Sequence, residues 1–189
     1  MARLRVFTGP MFAGKSTALL EAAEEYDAVL VFKPELDDRY AEEEIVTHDG
    51  RSLEAEVVAS DADGVEELEE QALDEVPDAV AIDEGQFFDE ALVDAVGRLL
   101  AAGIDVVVTG LEKDYRQEGF GPMPELVSRA DTVKRMTADC DVCGGPATRT
   151  QRLVDGEPAR EDAPQVDVDG KDSYEARCAD CHEVRPAKE

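Results

Sequence analysis

Gly9, Gly14, Lys15 and Ser16 stand in the spacing G-x-x-x-x-G-K-[ST] within "FTGPMFAGKST". Residues of these types at this spacing hold phosphate. Glycines let successive backbone N–H groups converge on phosphate oxygens, and a following helix presents its positive end to the same anion. Pro10, Met11, Phe12 and Ala13 fill the loop between the glycines. Lys15 would reach the β- and γ-phosphates of a nucleotide, and Ser16 would hold Mg2+. Upstream, "RLRVF" reads as a strand; downstream, "STALLEAAEE" reads as a helix. This is the setting a phosphate loop requires, and a chance glycine-rich turn would have no reason to share it. The loop implies a nucleotide without saying what receives the phosphate.

A second group of reactive residues is "AIDEG", Ala81 to Gly85. An apolar strand ending in an acid is the metal-side partner of a phosphate loop, which makes Asp83 a Mg2+ ligand, direct or through water. Glu84 follows and could accept a proton from an attacking hydroxyl. On an alternating strand end the two carboxylates are expected to diverge. The plainer reading is two solvated acids in an acidic chain. Against it, Ala79, Val80, Ala81 and Ile82 precede Asp83, and charge at the end of so apolar a run is expected to be positioned.

The third group is Cys140-x-x-Cys143 with Cys178-x-x-Cys181. Two such knuckles suit tetrahedral Zn2+, each offering two thiolates from one tight turn. Disulfides or free thiols are the alternatives, and His182 is a neighbour that could substitute as a ligand. A closed four-thiolate site leaves no position for water, so one structural Zn2+ is expected.

The elements that must position these groups follow from pattern. "DAVLVFKP" reads as a second strand closed by Pro34, and residues 38–60 as polar and irregular. "GVEELEEQALDEV" has Val65, Leu68, Ala72 and Val76 spaced for one helical face. "DEALVDAVGRLLAAG" is a helix stopped at Gly103, "IDVVVTG" a core strand, and "LEKDYRQEGFGPMP" a long loop. "DTVKRMTADC" leads into the cysteine segment. Alternating strand and helix signals predict an α/β fold. The expectation is a phosphate-loop NTPase domain at residues 1–137, with a parallel sheet flanked by helices. A small C-terminal zinc-binding lobe follows at 138–189, and ligand lies near the carboxyl ends of the strands.

The chain has 189 residues, with 46 Asp and Glu against 19 Lys and Arg, a net charge of −27. The acid is spread along the chain, which fits adaptation to concentrated salt better than an acidic tail for a basic partner. It also counts against binding a nucleic-acid backbone. No apolar run reaches the roughly 18 residues of a membrane span, and the chain begins on its first strand rather than on a signal peptide. A cytoplasmic protein without a membrane partner is expected.

Taken in order, "GPMFAGKST", "DDRY", "THDG", "DEGQFF", "LEKDYRQEGFG", the C-x-x-C knuckle and "SYEARCADC" resemble type II (cellular) thymidine kinases over essentially the whole chain. That resemblance implies transfer of the γ-phosphoryl group of ATP to the 5′-hydroxyl of thymidine, with deoxyuridine a further acceptor, in nucleotide salvage. It implies that Gly9 to Ser16, with Asp83, Glu84, Gly85 and Gln86, hold Mg-ATP, and that Glu84, Lys15 and Arg39 are catalytic, Glu84 as base. Asp37 and Arg39 fall near the phosphates. Met11 and Phe87 line the thymine pocket; Leu111, Tyr115 and Phe120 belong to the loop that closes over the nucleoside. Thr150 and Tyr174 match further contacts to base and sugar. The segment Gln165 to Asp169, with Val166, Asp167 and Val168, matches a loop whose backbone hydrogen-bonds thymine, although Asp169 stands where the family often has Gly. The family is usually tetrameric, so a homotetramer is implied. From the residues alone, a phosphate-loop ATPase or switch with a structural zinc ribbon remains the alternative. A zinc-ribbon nucleic-acid binder is a weaker one, since residues 155–189 are acidic.

Overall fold

The computed structural model describes residues 1–35, 44–46, 52–166 and 173–188. The elements run β1 (Leu4–Thr8), α1 (Lys15–Ala23), β2 (Val29–Pro34), β3 (Glu44–Val46), β4 (Ser52–Glu54), β5 (Glu56–Val58), α2 (Ala62–Glu75) and β6 (Ala79–Ile82). After a 3-10 turn at Gly85–Phe87 come α3 (Ala91–Ala101), β7 (Asp105–Gly110), α4 (Met123–Arg129) and β8 (Thr132–Arg135). The chain continues as β9 (Ala138–Asp139), β10 (Pro146–Ala147), β11 (Arg149–Val154), β12 (Glu157–Pro158) and β13 (Ser173–Arg177).

Six strands form one sheet in the order β5-β2-β6-β7-β1-β8. Every pairing in it is parallel. The apolar strands are explained by burial on both faces. Period-2 alternation sends Leu4, Val6, Val80, Ile82, Val106 and Val108 into a core with α2, α3 and α4. It sends Phe7, Ala81 and Val107 to the other face, against Ala18, Leu19 and Ala22 of α1. This is the α/β sheet expected, with helices on both sides.

Three details differ from the pattern reading. Residues 38–60 include, where described, the sheet strand β5 and the antiparallel pair β3–β4. Short strands of three residues leave too little periodicity to detect. Val76 is 65% exposed and left-handed at the end of α2, rather than on its buried face; Pro77 stops the helix there. "DTVKR" is no connector: β8 is the sheet's outer strand beside β1, held through its backbone while most of its side chains face solvent.

Beyond the sheet, β9 pairs with β10, and β11 pairs antiparallel with β12 and β13. Cys140 lies just after β9 and Cys178 just after β13. Among the described residues no helix is long and apolar enough to cross a membrane.

Candidate active site

Strand order decides where the reactive residues meet. β7 lies between β1 and β6, with Thr8 level with Gly110 and Ile82 level with Val108. The carboxyl ends of three adjacent strands therefore present the phosphate loop, Thr109 and Asp83 side by side. The loop itself turns through positive φ at Gly9 (154°), Phe12 (65°) and Gly14 (78°) before α1 begins at Lys15. Phe12 is exposed, so its left-handed backbone is held by the loop and not by packing of the ring. The buried Lys15 ammonium donates to the Pro10 carbonyl at 2.8 Å, across the mouth of the loop. Burial lowers the Lys15 pKa, against the opposing pull of Glu84 and Asp83.

Asp83 is buried and fully engaged. Its Oδ2 accepts from the Ser16 hydroxyl at 3.1 Å, and its Oδ1 accepts from the Thr109 hydroxyl and, at 2.9 Å, from the Glu84 amide. The pairing of a phosphate-loop hydroxyl with a strand-end carboxylate fits a divalent cation that would share both oxygens. Glu84 takes different partners. Strand β6 has already ended, and Glu84 sits in the left-handed region (φ 51°) at the start of the 3-10 turn. The two acids are thus separated by a turn and not by strand alternation. Gln86 Nε2 donates to Glu84 Oε2, and Gln86 Oε1 accepts from the Leu111 amide at 2.9 Å. Burial raises the Glu84 pKa and the Asp83 charge adds to it, while Lys15 and Gln86 oppose.

The aromatic residues sit beside these acids. Phe87 meets Phe120 edge to face, centroids 5.5 Å apart. Leu111 and Phe120 are buried, and Met11 is half-buried. The segment 112–120 is ordered around the buried Asp114 carboxylate. That carboxylate accepts from the Arg116 and Glu118 amides, from the Arg116 guanidinium and from Gln165 Nε2 at 3.0 Å. The Tyr115 hydroxyl faces the carbonyl oxygens of Arg160 (3.0 Å) and Ala163 (2.9 Å), and its ring lies 5.4 Å from the guanidinium carbons of both Arg116 and Arg152. Tyr115 is therefore tied to the segment after β12. Thr150, on β11, is buried and accepts the Met11 amide of the phosphate loop at 3.1 Å. Val166 is exposed and Tyr174, on β13, is half-buried. Asp37, Arg39, Asp167, Val168 and Asp169, with the "THDG" run, lie outside the described residues.

The four cysteines converge: the sulfurs of Cys140, Cys143, Cys178 and Cys181 all lie within 4.8 Å of one another. Cys143 and Cys178 sulfurs are 3.7 Å apart. A tetrahedron with metal–sulfur bonds of about 2.3 Å has edges of about 3.8 Å, close to the Cys143–Cys178 separation, and the four thiols together could hold a metal ion. The thiols cannot all ionise without a cation between them. Backbone amides, that of Cys178 foremost, hold Cys140 down at about 6, while the neighbouring Cys178 thiol pushes Cys181 up to about 12. His182 is not part of the cluster; its Nε2 lies 2.8 Å from the Tyr115 carbonyl oxygen.

The family model described as "Thymidine kinase" matches residues 2–182. The chain belongs to the thymidine kinase family. It is 45% identical over 185 residues to the thymidine kinase of Thermococcus kodakarensis, covering 96% of this chain and 94% of that one. The thymidine kinase of Deinococcus deserti is 46% identical over 190 residues, with the same coverages. That of Mesoplasma florum is 43% identical over 185 residues, covering 96% and 91%.

Two members of the site escaped sequence reasoning. Thr109 is one more β-branched residue in "IDVVVTG", and nothing in the sequence says that β7 is inserted between β1 and β6. Asp114 is one acid among 46. Gln86, which the resemblance sets beside the nucleotide, bonds through its side chain to Glu84 and the Leu111 amide.

Proposed function

We propose that this chain phosphorylates thymidine, moving the γ-phosphoryl group of ATP to the 5′-hydroxyl and giving dTMP. The observation that carries the reading is the division of labour between adjacent acids: Asp83 bonds to the phosphate-loop Ser16, while Glu84 turns away from it to other partners. In this reading the loop amides from Gly9 to Ser16 and the Lys15 ammonium grip the phosphates. Lys15 leaves the Pro10 carbonyl to do so. Ser16 and Asp83 would hold a magnesium ion, which would neutralise phosphate charge. Glu84 removes the proton from the 5′-hydroxyl as the bond to phosphorus forms. Its raised pKa makes it a stronger base than a solvated carboxylate, in keeping with the task. Phe87, Phe120, Leu111 and Met11 line the thymine side. Arg39, Asp167 to Asp169, Val166 and Tyr174 complete the roles drawn from the resemblance. Zinc in the four-thiolate cluster, a homotetramer and a cytoplasmic location belong to the same proposal.

The test is Glu84→Gln, which keeps shape and removes basicity. Turnover is expected to fall ~10²–10⁴-fold, the usual worth of a positioned base. Mg-ATP affinity is expected to stay, since its anchors lie elsewhere. Near-normal thymidine phosphorylation with lost Mg-ATP binding would show the two acids reversed. ADP formation that needs no nucleoside would favour the ATPase reading.

A further inference from the structure

We propose that Gln86 is a positioning residue for the phosphoryl transfer: its carboxamide fixes the Glu84 carboxylate against the backbone of the nucleoside loop. The proposal rests on Glu84 being the base.

The amide's orientation is not arbitrary. A backbone N–H can only donate, so the Gln86 atom 2.9 Å from the Leu111 nitrogen must be its oxygen. The NH2 group is then left facing Glu84 Oε2, to which it donates. Gln86 is 3% exposed, so water does not compete for either bond. Glu84 needs such a tether because its backbone is left-handed, and a short turn gives its carboxylate no strand neighbour to lean on. One oxygen is held by Gln86, which leaves the other for an acceptor hydroxyl.

The surroundings are built to this shape. A Cβ on Gly110 would stand 2.6 Å from Gln86 Oε1, and one on Gly121 would stand 2.2 Å from the Gln86 carbonyl oxygen. Gly121 also has φ of +51°, which a side chain would strain. Both ends of the loop from Leu111 to Phe120 therefore close on one residue. The side chain of Gln86 accepts the loop's first amide, and its carbonyl packs against the glycine just past the loop's end with no room for a Cβ between them. A shift of the loop at Leu111 would reach the Glu84 carboxylate through the Gln86 carboxamide. Both polar ends of the Gln86 carboxamide are engaged, by Glu84 and by the Leu111 amide, so its proposed role is exerted through Glu84.

The experiment is a double-mutant cycle on the full-length, metal-loaded enzyme, using Glu84→Gln, Gln86→Leu and the pair. Gln86→Leu is expected to lower kcat about 10- to 100-fold, the worth of a hydrogen bond to a charged group at 1.4 kcal/mol per factor of ten. The Kd for Mg-ATP is expected to move by less than about twofold, within ordinary non-additivity of distant sites. In the Glu84→Gln background the same substitution should cost less than about threefold in kcat, since two residues acting as a unit do not add. A full, multiplicative loss in that background overturns the proposal and makes Gln86 a packing residue. If Glu84→Gln alone leaves turnover near normal, the base assignment fails, and this proposal fails with it. Should Gln86→Leu not fold, Gln86→Met carries the cycle: it keeps the length of the side chain and can neither donate to Glu84 nor accept from the Leu111 amide.

Discussion

Thr150→Val separates two accounts of one residue. The resemblance places Thr150 among contacts to the base and sugar. The structure has its hydroxyl accepting the Met11 amide of the phosphate loop at 3.1 Å. Valine keeps the shape and deletes the acceptor. An orphaned buried amide costs about 1–3 kcal/mol, but Met11 is half-buried, so water can partly replace the bond and the lower end, about 1 kcal/mol, applies. That is a factor of about five in an equilibrium constant. Free protein can let the loop relax, whereas nucleotide-bound protein must hold it, so the cost falls on ATP. The expected result is an ATP Kd raised about three- to fivefold, following that energy, with the thymidine KM nearly unchanged. Thr150→Ser keeps the hydroxyl and should bind ATP like the parent. Isothermal titration with a non-hydrolysable ATP analogue, together with steady-state kinetics, measures both arms. A thymidine KM raised tenfold or more beside an unchanged ATP Kd would refute the reasoning and restore the base-and-sugar role.

Removing one thiolate by Cys143→Ser is expected to release the metal and loosen β11 and β13. The thymidine KM should rise most and the ATP KM by up to the Thr150→Val effect; protein purified without chelator that contains no zinc would sink this. The net charge of −27 predicts a melting temperature that climbs with KCl. Screening shortens from about 10 Å at 0.1 M to about 3 Å at 1 M, and a melt indifferent to salt over that range would show that the acids do not load the fold.

What the sequence determined by itself was local chemistry. The phosphate loop is one continuous stretch, so its spacing carries its geometry, and each C-x-x-C knuckle is likewise a single turn. "AVAI" before Asp83 marked a strand buried on both faces, and the order of motifs was enough to point to the family. Tertiary structure decided what depends on which strands are neighbours. Parallel strands pair through crossovers, and nothing in a strand's side chains names its partner; only the order β6-β7-β1 puts Thr109 on Asp83 beside the phosphate loop. Edge strand β8 was illegible because most of its side chains face solvent, which leaves no apolar run or alternation to read. The link from Thr150 to Met11 spans 139 positions and that from Leu111 to Gln86 spans 25. A hydrogen bond of that kind leaves no mark on residue type or spacing, because a threonine or glutamine reads the same whether it faces water, substrate or a backbone amide folded against it.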